Sequence, residues 1–384
     1  MNKIDSLIAQ YCPDGVEYRE LGELLNYEQP TKYIVQSTIY DNAFLIPVLT
    51  AGQSFILGYT NEIKGRYSAT KKEPVIIFDD FTTSFHWVDF EFKVKSSAMK
   101  ILTAKKNMEI DFRFVFFAMR CINYEPQDHA RQWISIYSKF KIPIPPLPIQ
   151  HEIVNILDKF TQLEAQLEAE LEARKVQYEY YRNELLNYQE KEVNWITLLE
   201  VIEKIKNVKW SETDKSYKYI DLSSVSRDTY QIIGHTIINK KDAPSRAQQI
   251  INSGDILFGT TRPTLKRICI VDEEYDSQIC SSGFCVIRPK KEKVLSKWIY
   301  YQLSLPKFYE YIERNQQGAS YPSISDICVK EYRIPLPDVE EQYRIVQSLD
   351  KFDSLVNDLS IGLPAEIAAR KKQYEYYRNK LMTF

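Results

Sequence analysis

The 384-residue sequence predicts an α+β fold: two diverged copies of one α/β domain, joined by two long helices that pair as an antiparallel, pseudo-twofold coiled coil. The first observation is a stripe. Between Ile149 and Tyr188, apolar or aromatic residues recur at helical spacing: Ile153, Ile156, Phe160, Leu163, Leu167, Leu171, Tyr178, Tyr181, Leu185 and Tyr188. Such spacing marks one face of a helix, and forty residues of helix span roughly 60 Å. A stripe that long needs a partner. The second observation supplies it: IPIPPLPIQHEIVNILDKF (142–160) matches IPLPDVEEQYRIVQSLDKF (334–352) at ten of nineteen positions, and ARKVQYEYYRN (173–183) matches ARKKQYEYYRN (369–379) at ten of eleven. The offsets, 192 and 196 residues, are too large for a solenoid and describe one domain-plus-helix unit written twice. Third, the hydropathy repeats: PVIIFDDFTT (74–83) lies over DILFGTTRPT (255–264), and SSAMKIL (96–102) over SSGFCVI (281–287).

The expected segments are a first domain over 1–141, a proline joint and long helix over 142–190, a second domain over 191–333, and a second joint and helix over 334–384. Near the start, Pro13-Asp14-Gly15 marks a turn before EYRELGELL, whose counterpart is VNWITLLEVI (193–202). Runs such as EPVIIFDDF and HWVDFEFKV in the first copy, and YKYIDLSSV and SGDILFGTT in the second, read as strands. FRFVFFAMR (112–120) and KWIYYQLSL (297–305) read as helices that follow them. The joints IPIPPLP and IPLPD are stiff connectors; their place before each helix favours a structural role over that of an SH3-type ligand. Pro148 suits a first helical turn, and Asp338 with Glu341 resembles a capping box. The first helix carries the tandem LEAQ-LEAE-LEAR (163–174). The second has Gly362 and Pro364 instead, so it is expected to break and restart near Pro364.

Composition narrows the function. With 44% hydrophobic and 27% charged residues the chain reads as a soluble globular protein, and runs such as Phe114 to Met119 are too short to span a membrane. No signal-type apolar core follows Asn2 and Lys3, so a cytoplasmic protein is expected. Six cysteines without a CxxC pair support free thiols and no zinc site. A net charge of −2 argues against a generic polyanion binder, so any nucleic-acid surface must be local or shared with a partner.

No phosphate loop, GxGxxG, GxSxG or HExxH is present, so no cofactor, metal or catalytic residue is expected in this chain. One constellation, Asp79 and Asp80 before Glu91-Phe-Lys93, loosely resembles a nuclease metal site. The second copy puts Gly259 and Thr260 opposite the aspartates, so solvated strand residues are the expectation. The stronger signals are polar and basic loops in equivalent places. In the second copy these are Thr260, Thr261, Arg262, Lys266 and Arg267, then Gln316, Gln317, Ser320 and Tyr321. In the first they are Thr50, Gly52 and Gln53, then Lys64, Arg66 and Tyr67, Lys71 and Lys72, Thr82 and Thr83. Arginine and amide side chains can read base edges, and lysines and hydroxyls reach phosphates.

These stretches together resemble the specificity subunit of a type I restriction–modification system. The resemblance rests on CPDGVEYRELGEL, SKFKIPIPPLPIQHEIV, KEYRIPLPDVEEQYRIV, both LDKF helices, both ARKxQYEYYRN repeats and SGDILFGTTRP, and covers essentially the whole length. It implies two target-recognition domains, each reading half of a split double-stranded DNA sequence, separated by conserved helices in an antiparallel coiled coil. It implies no catalysis in this chain. Two methyltransferase (modification) subunits bringing S-adenosylmethionine, and restriction subunits bringing ATP, are the implied partners. Because Asp79-Asp80 face Gly259-Thr260, two unlike half-sites are expected. The competing class is a coiled-coil scaffold without DNA specificity.

Overall fold

The computed structural model describes residues 2–50, 55–106, 108–189, 193–358 and 360–384. They form two compact units, Met1–Leu167 with Ile367–Phe384, and Glu168–Glu366. Both contain strands and helices in separate layers, an α+β architecture, and both use the same connectivity.

In the first unit one sheet has the order Leu25–Glu28, Met99–Ala104, Val75–Asp79, Phe85–Val88, all antiparallel. A second has the order Ile56–Thr60, Ile46–Leu49, Glu91–Val94, Tyr67–Ser68, with a parallel central pair. Val75–Asp79 is buried throughout. Its Ile76 and Phe78 join a core with the helix Phe112–Met119, while Val75 and Ile77 join a core with the second sheet. A strand covered on both faces reads as an uninterrupted apolar run, which is why VIIF stood out.

The second unit repeats this plan. Ile202–Glu203, Phe284–Pro289, Ile256–Gly259 and Ile268–Ile270 form one sheet; Thr236–Ile238, Tyr217–Ile220, Gln278–Ser281 and Ala247–Ile251 form the other, again with a parallel central pair. Ile256 and Phe258 face the core that holds the helix Ser296–Leu303, and Leu257 faces the other. In each unit the start of the joint is itself a strand of a short antiparallel ribbon, Glu17–Glu20 with Lys141–Ile144 and Asn194–Thr197 with Arg333–Leu336. A four-residue helix with a capping box follows the first strand of each ribbon, at Leu21–Leu24 and Leu198–Val201.

The joints owe their geometry to a repeated glutamine. Gln150, fully buried, donates to the Pro145 carbonyl at 2.7 Å and accepts from the Asp111 amide at 2.8 Å. Gln342, equally buried, donates to the Pro337 carbonyl at 2.9 Å and accepts from the Leu295 amide at 3.0 Å. Proline supplies no N–H, so the carbonyls of these joints need an outside donor. Each glutamine thereby ties its joint to the start of its domain helix.

The helix Leu147–Leu186 is continuous, with Pro148 in its first turn. Asp338 caps the helix Val339–Asn357 by accepting from the Glu341 amide at 2.8 Å, while the Glu341 carboxylate pairs with Arg344 at 2.7 Å instead of closing a capping box. That helix stops where Asp358 folds back to accept from the amides of Ser360 and Ile361. A Cβ on Gly362 would lie 2.5 Å from the Ser354 carbonyl, so only glycine fits the break. The restarted helix, Leu363–Leu381, holds Pro364 in its first turn, where a missing N–H costs nothing. Asp358 and Gly362 set the break, and the proline suits the restart.

Helix pairing explains why two motifs repeat together. In the first unit Phe160 of the first LDKF stacks on Tyr377 of the second QYEYYRN, with centroids 5.5 Å apart, and Glu164 pairs with Lys371 at 3.3 Å. In the second unit Phe352 of the other LDKF stacks on Tyr181 at 5.8 Å. Both pairs run antiparallel. The QYEYYRN tyrosines are not all buried. Tyr178 and Tyr374 are, at 7% exposure each, but Tyr180 and Tyr376 are 61% and 60% exposed. Two residues along a helix turn the side chain to the far face. Tyr374 packs against Phe117 and Phe160. Tyr374→Ala is therefore expected to lose about 2–4 kcal/mol and several degrees of melting temperature in the chain alone. An unchanged melting curve would show that this ring is not core.

Candidate nucleic-acid interface

In the second unit the strand Ile256–Gly259 turns at its end into a hairpin tip, and two distant loops meet there. The Thr260 carbonyl accepts from the Ile324 amide at 3.0 Å, and the Arg262 amide donates to the Pro322 carbonyl at 2.7 Å. Thr261 bridges to Ser323. The second loop is itself a small hairpin, closed by reciprocal 2.8 Å bonds between Gln317 and Ser323 and turned by Gly318 at φ +94°. The guanidinium of Arg262 lies 4.1 Å from the ring centroid of Tyr321, a residue 70% exposed. The two loops singled out in the sequence thus form one exposed surface carrying Arg262, Lys266, Gln317, Ser320 and Tyr321. Arg262 and Lys266 both adopt left-handed backbone, at φ +49° and +56°. Such strain is held only where the surroundings enforce it, and it gathers at functional positions.

Other sequence candidates serve the fold. The Thr260 hydroxyl, buried, donates to the Gly283 carbonyl at 2.9 Å. Arg267 donates to the carbonyls of Leu222 and Val225 at 2.5 and 2.7 Å, pinning a neighbouring loop. Gln316 is half-buried.

The first unit has the equivalent tip, Asp80 to Ser84, and it too meets a distant loop. The Asp80 carbonyl accepts from the Gln132 amide at 2.8 Å, as Thr260 does from Ile324. The Asp80 amide donates to Ala98, as that of Thr260 does to Gly283. Phe81 stacks on His129 with centroids 4.7 Å apart. The segment around His129 and Arg131 was missed in the sequence. Its signal was position alone: polar residues between the domain helix and the joint, as in NQQGASYPS. Thr82 is exposed and bonded to Ser84 at 2.8 Å, while Thr83 is buried at φ +59°. Thr50 follows the strand Ile46–Leu49, whose Leu49 carbonyl accepts from the Lys95 amide, on the chain leading to Ala98 and the tip. Gly52 and Gln53 lie outside the described residues.

Lys64, Arg66, Tyr67, Lys71 and Lys72 are not part of this tip. Ser68 pairs with Glu91, and Lys71 and Lys72 precede Val75, so these residues sit toward the opposite end of the strands. Arg66 pairs with Glu91 at 2.9 Å, and the Tyr67 ring stacks on Phe92 at 5.2 Å.

The expectation that Asp79 and Asp80 are solvated is overturned: they are 6% and 0% exposed. Asp79 accepts from the amides of Phe81 and Thr82, bending the tip. Asp80 accepts from the Trp133 amide at 2.9 Å and pairs with Lys100 at 3.2 Å, where both side chains are 1% exposed. Arg131 reaches the same carboxylate at 3.7 Å. Lys93 pairs instead with Glu62 at 2.6 Å, and this bond is the main cause that holds the Glu62 carboxyl below its usual range. The acids of the nuclease-like constellation are thus each matched to a separate partner. Among the described residues no cluster of His, Cys, Asp or Glu is placed to hold a metal, and no helix is long and apolar enough to cross a membrane. In the second unit the register puts Thr260 and Cys285 where Asp80 and Lys100 stand, a neutral pair for a charged one.

Comparison with known proteins agrees with this duplicated plan. The family described as type I restriction modification DNA specificity domain matches residues 13–173 and again 190–369. An Escherichia coli protein, the type I restriction enzyme EcoR124I/EcoR124II specificity subunit, is 40% identical over 392 residues, covering 97% of this chain and 95% of its own. A putative type I restriction enzyme specificity subunit of Haemophilus influenzae is 29% identical, with 96% of each chain covered. The crystal structure of a type I restriction-modification system S subunit from M. genitalium shares the fold, with a TM-score of 0.59 over 97% of both chains at 14% identity. A domain matched twice, at the two halves of a duplicated fold, with identity sustained along the whole length, places the chain in the type I restriction–modification DNA specificity family.

Proposed function

We propose that this chain is the non-catalytic subunit that reads a bipartite DNA target, and that the paired-loop surface of each unit reads one half. It directs methyltransferase and restriction subunits to that target. S-adenosylmethionine and ATP act in those partners, two of them methyltransferase subunits. The observation that carries the reading is the same hydrogen bond in both units, Gln132 to Asp80 and Ile324 to Thr260, which joins a hairpin tip to a polar loop. A tip braced from two sides holds side chains at fixed positions against base edges, as direct readout requires. The tips differ in sequence, so the half-sites differ.

The test is sequence-selective, salt-dependent binding by the chain with its methyltransferase subunits, on duplexes carrying the target defined by methylation mapping. Binding that ignores sequence would favour the scaffold reading. Arg262→Ala is expected to relax one half-site by about 1–3 kcal/mol, the range of a bidentate base contact. Arg262→Gly should lose the same half-site while keeping or raising the melting temperature, because glycine relieves the left-handed backbone. Equal loss on all sequences would reassign Arg262 to a phosphate.

A further inference from the structure

In the first unit a cleft of about 360 Å³ opens beside the hairpin tip, walled by Thr83, Ser84, Arg120, Tyr124 and Arg378 among others. Arg120 also lines an adjoining cleft with Tyr374 and Glu164. Two guanidiniums share this space without an acid of their own. Arg113 is held by Asp158 at 2.8 Å, and Glu164 by Lys371 at 3.3 Å. Among the described residues neither Arg120 nor Arg378 has a carboxylate within ion-pair distance. Arg378 Nε and the hydroxyl of Tyr374, itself 7% exposed, are buried without a hydrogen-bond partner, as is Nε of the equivalent Arg182 in the second unit. Burial lowers the Arg120 pKa and the Arg378 charge adds to that effect, while Tyr374 and Glu164 oppose it.

Arg120 lies over the Phe116 ring and Arg378 over the Tyr374 ring, contacts that hold the guanidiniums but leave their charges unmatched. Like charges repel across a cleft, and a buried donor without an acceptor is destabilising. The orphaned donor occurs in both units, so the pair of unmatched like charges carries the argument: an anion that enters from outside would neutralise it, and guanidiniums in pairs match phosphate oxygens. The second unit provides the contrast. The same repeat arginine, Arg182, lines a cleft beside Tyr178, but Ser304 stands where Arg120 does, and Glu179 and Asp353 share the wall with Arg182 and Lys266. In the first unit Thr161 takes the place of Asp353. The cationic excess belongs to one unit only.

We propose that the Arg120–Arg378 cleft takes one backbone phosphate of the target duplex, next to the half-site read by the first unit, and that the second unit has no counterpart. The choice of a phosphodiester rests on the reading above, in which the tip carrying Thr83 and Ser84 faces DNA. A strand that reaches the tip carries its phosphates past the cleft mouth.

The experiment measures affinity against salt for the full chain with its methyltransferase subunits, on the mapped target and on duplexes with either half scrambled. Arg120→Gln and Arg378→Gln are each expected to weaken binding roughly tenfold on all of these duplexes and to lower the slope of log K against log salt by about one. Arg120→Lys should keep the slope. The melting temperature should hold or rise in the glutamine variants, since a like charge is removed. A neutral methylphosphonate at one position beside the first half-site should erase the difference between wild type and Arg120→Gln. An unchanged slope in both variants overturns the proposal, as does affinity loss that merely follows a fallen melting temperature. A changed slope that no methylphosphonate position reproduces also overturns it, and assigns the arginines to an acidic side chain of a partner subunit. Failure of the wild type to select any sequence would instead remove the specificity reading, a separate outcome.

Discussion

Replacing Asp80 with alanine is expected to destabilise the first unit by about 3–5 kcal/mol and to abolish recognition of one half-site while sparing the other. Asp80 and Lys100 are both 1% exposed, so removing the carboxylate strands a cation in the core. The Trp133 amide loses its acceptor as well, and with it the bond that helps hold the distant loop against the tip. The second unit carries neutral residues at the equivalent positions, Thr260, whose hydroxyl donates to the Gly283 carbonyl, and Cys285. Asp80→Thr combined with Lys100→Cys should therefore recover most of the lost stability, because no unpaired ion remains. Denaturant titration of the single and double variants measures the difference, and methylation mapping reads the half-sites. A single variant within 1 kcal/mol of wild type would mean that Lys100 finds compensation elsewhere.

Deleting Leu163–Gln166, one LEAQ unit, is expected to abolish methylation at the original targets and to create a set whose unspecified spacer is one or two base pairs shorter. Four residues amount to about 6 Å of helix and about 40° beyond a full turn. Two base pairs rise about 7 Å, so the lengths correspond. The helix Leu147–Leu186 runs through this segment without a break, and it passes from one compact unit to the other at Leu167. Leu167 and Leu171 remain near the seam after such a deletion, because the repeat replaces like with like. Methylation mapping of the variant decides the matter. An unchanged spacer would show that partner subunits set the distance, and altered half-site bases would show that the units do not read independently.

The sequence by itself determined the duplication, the α+β class, the long helix and the reading as a specificity subunit. Its reach came from features that are local or periodic. A strand buried on both faces leaves an apolar run at 75–78, a helix seam leaves a 3.6-residue period, and two copies leave an offset. The tertiary structure alone decided which polar residues act at a surface. Asp80 and Thr260 lie in exposed-looking polar tips, yet both are buried, because a partner 50 or more residues away closes over them: Trp133 on Asp80, Ile324 on Thr260. Likewise Gln150 and Gln342 were only identical letters in a repeat until their bonds to proline carbonyls gave the reason. Lys71 and Lys72 look as promising in sequence as Thr82, but strand direction puts them toward the other end of the sheet. Non-local hydrogen bonds and strand direction follow from chain closure, which has no period and no motif. The sequence therefore fixes what the elements are, while only packing decides which of their polar ends are left exposed.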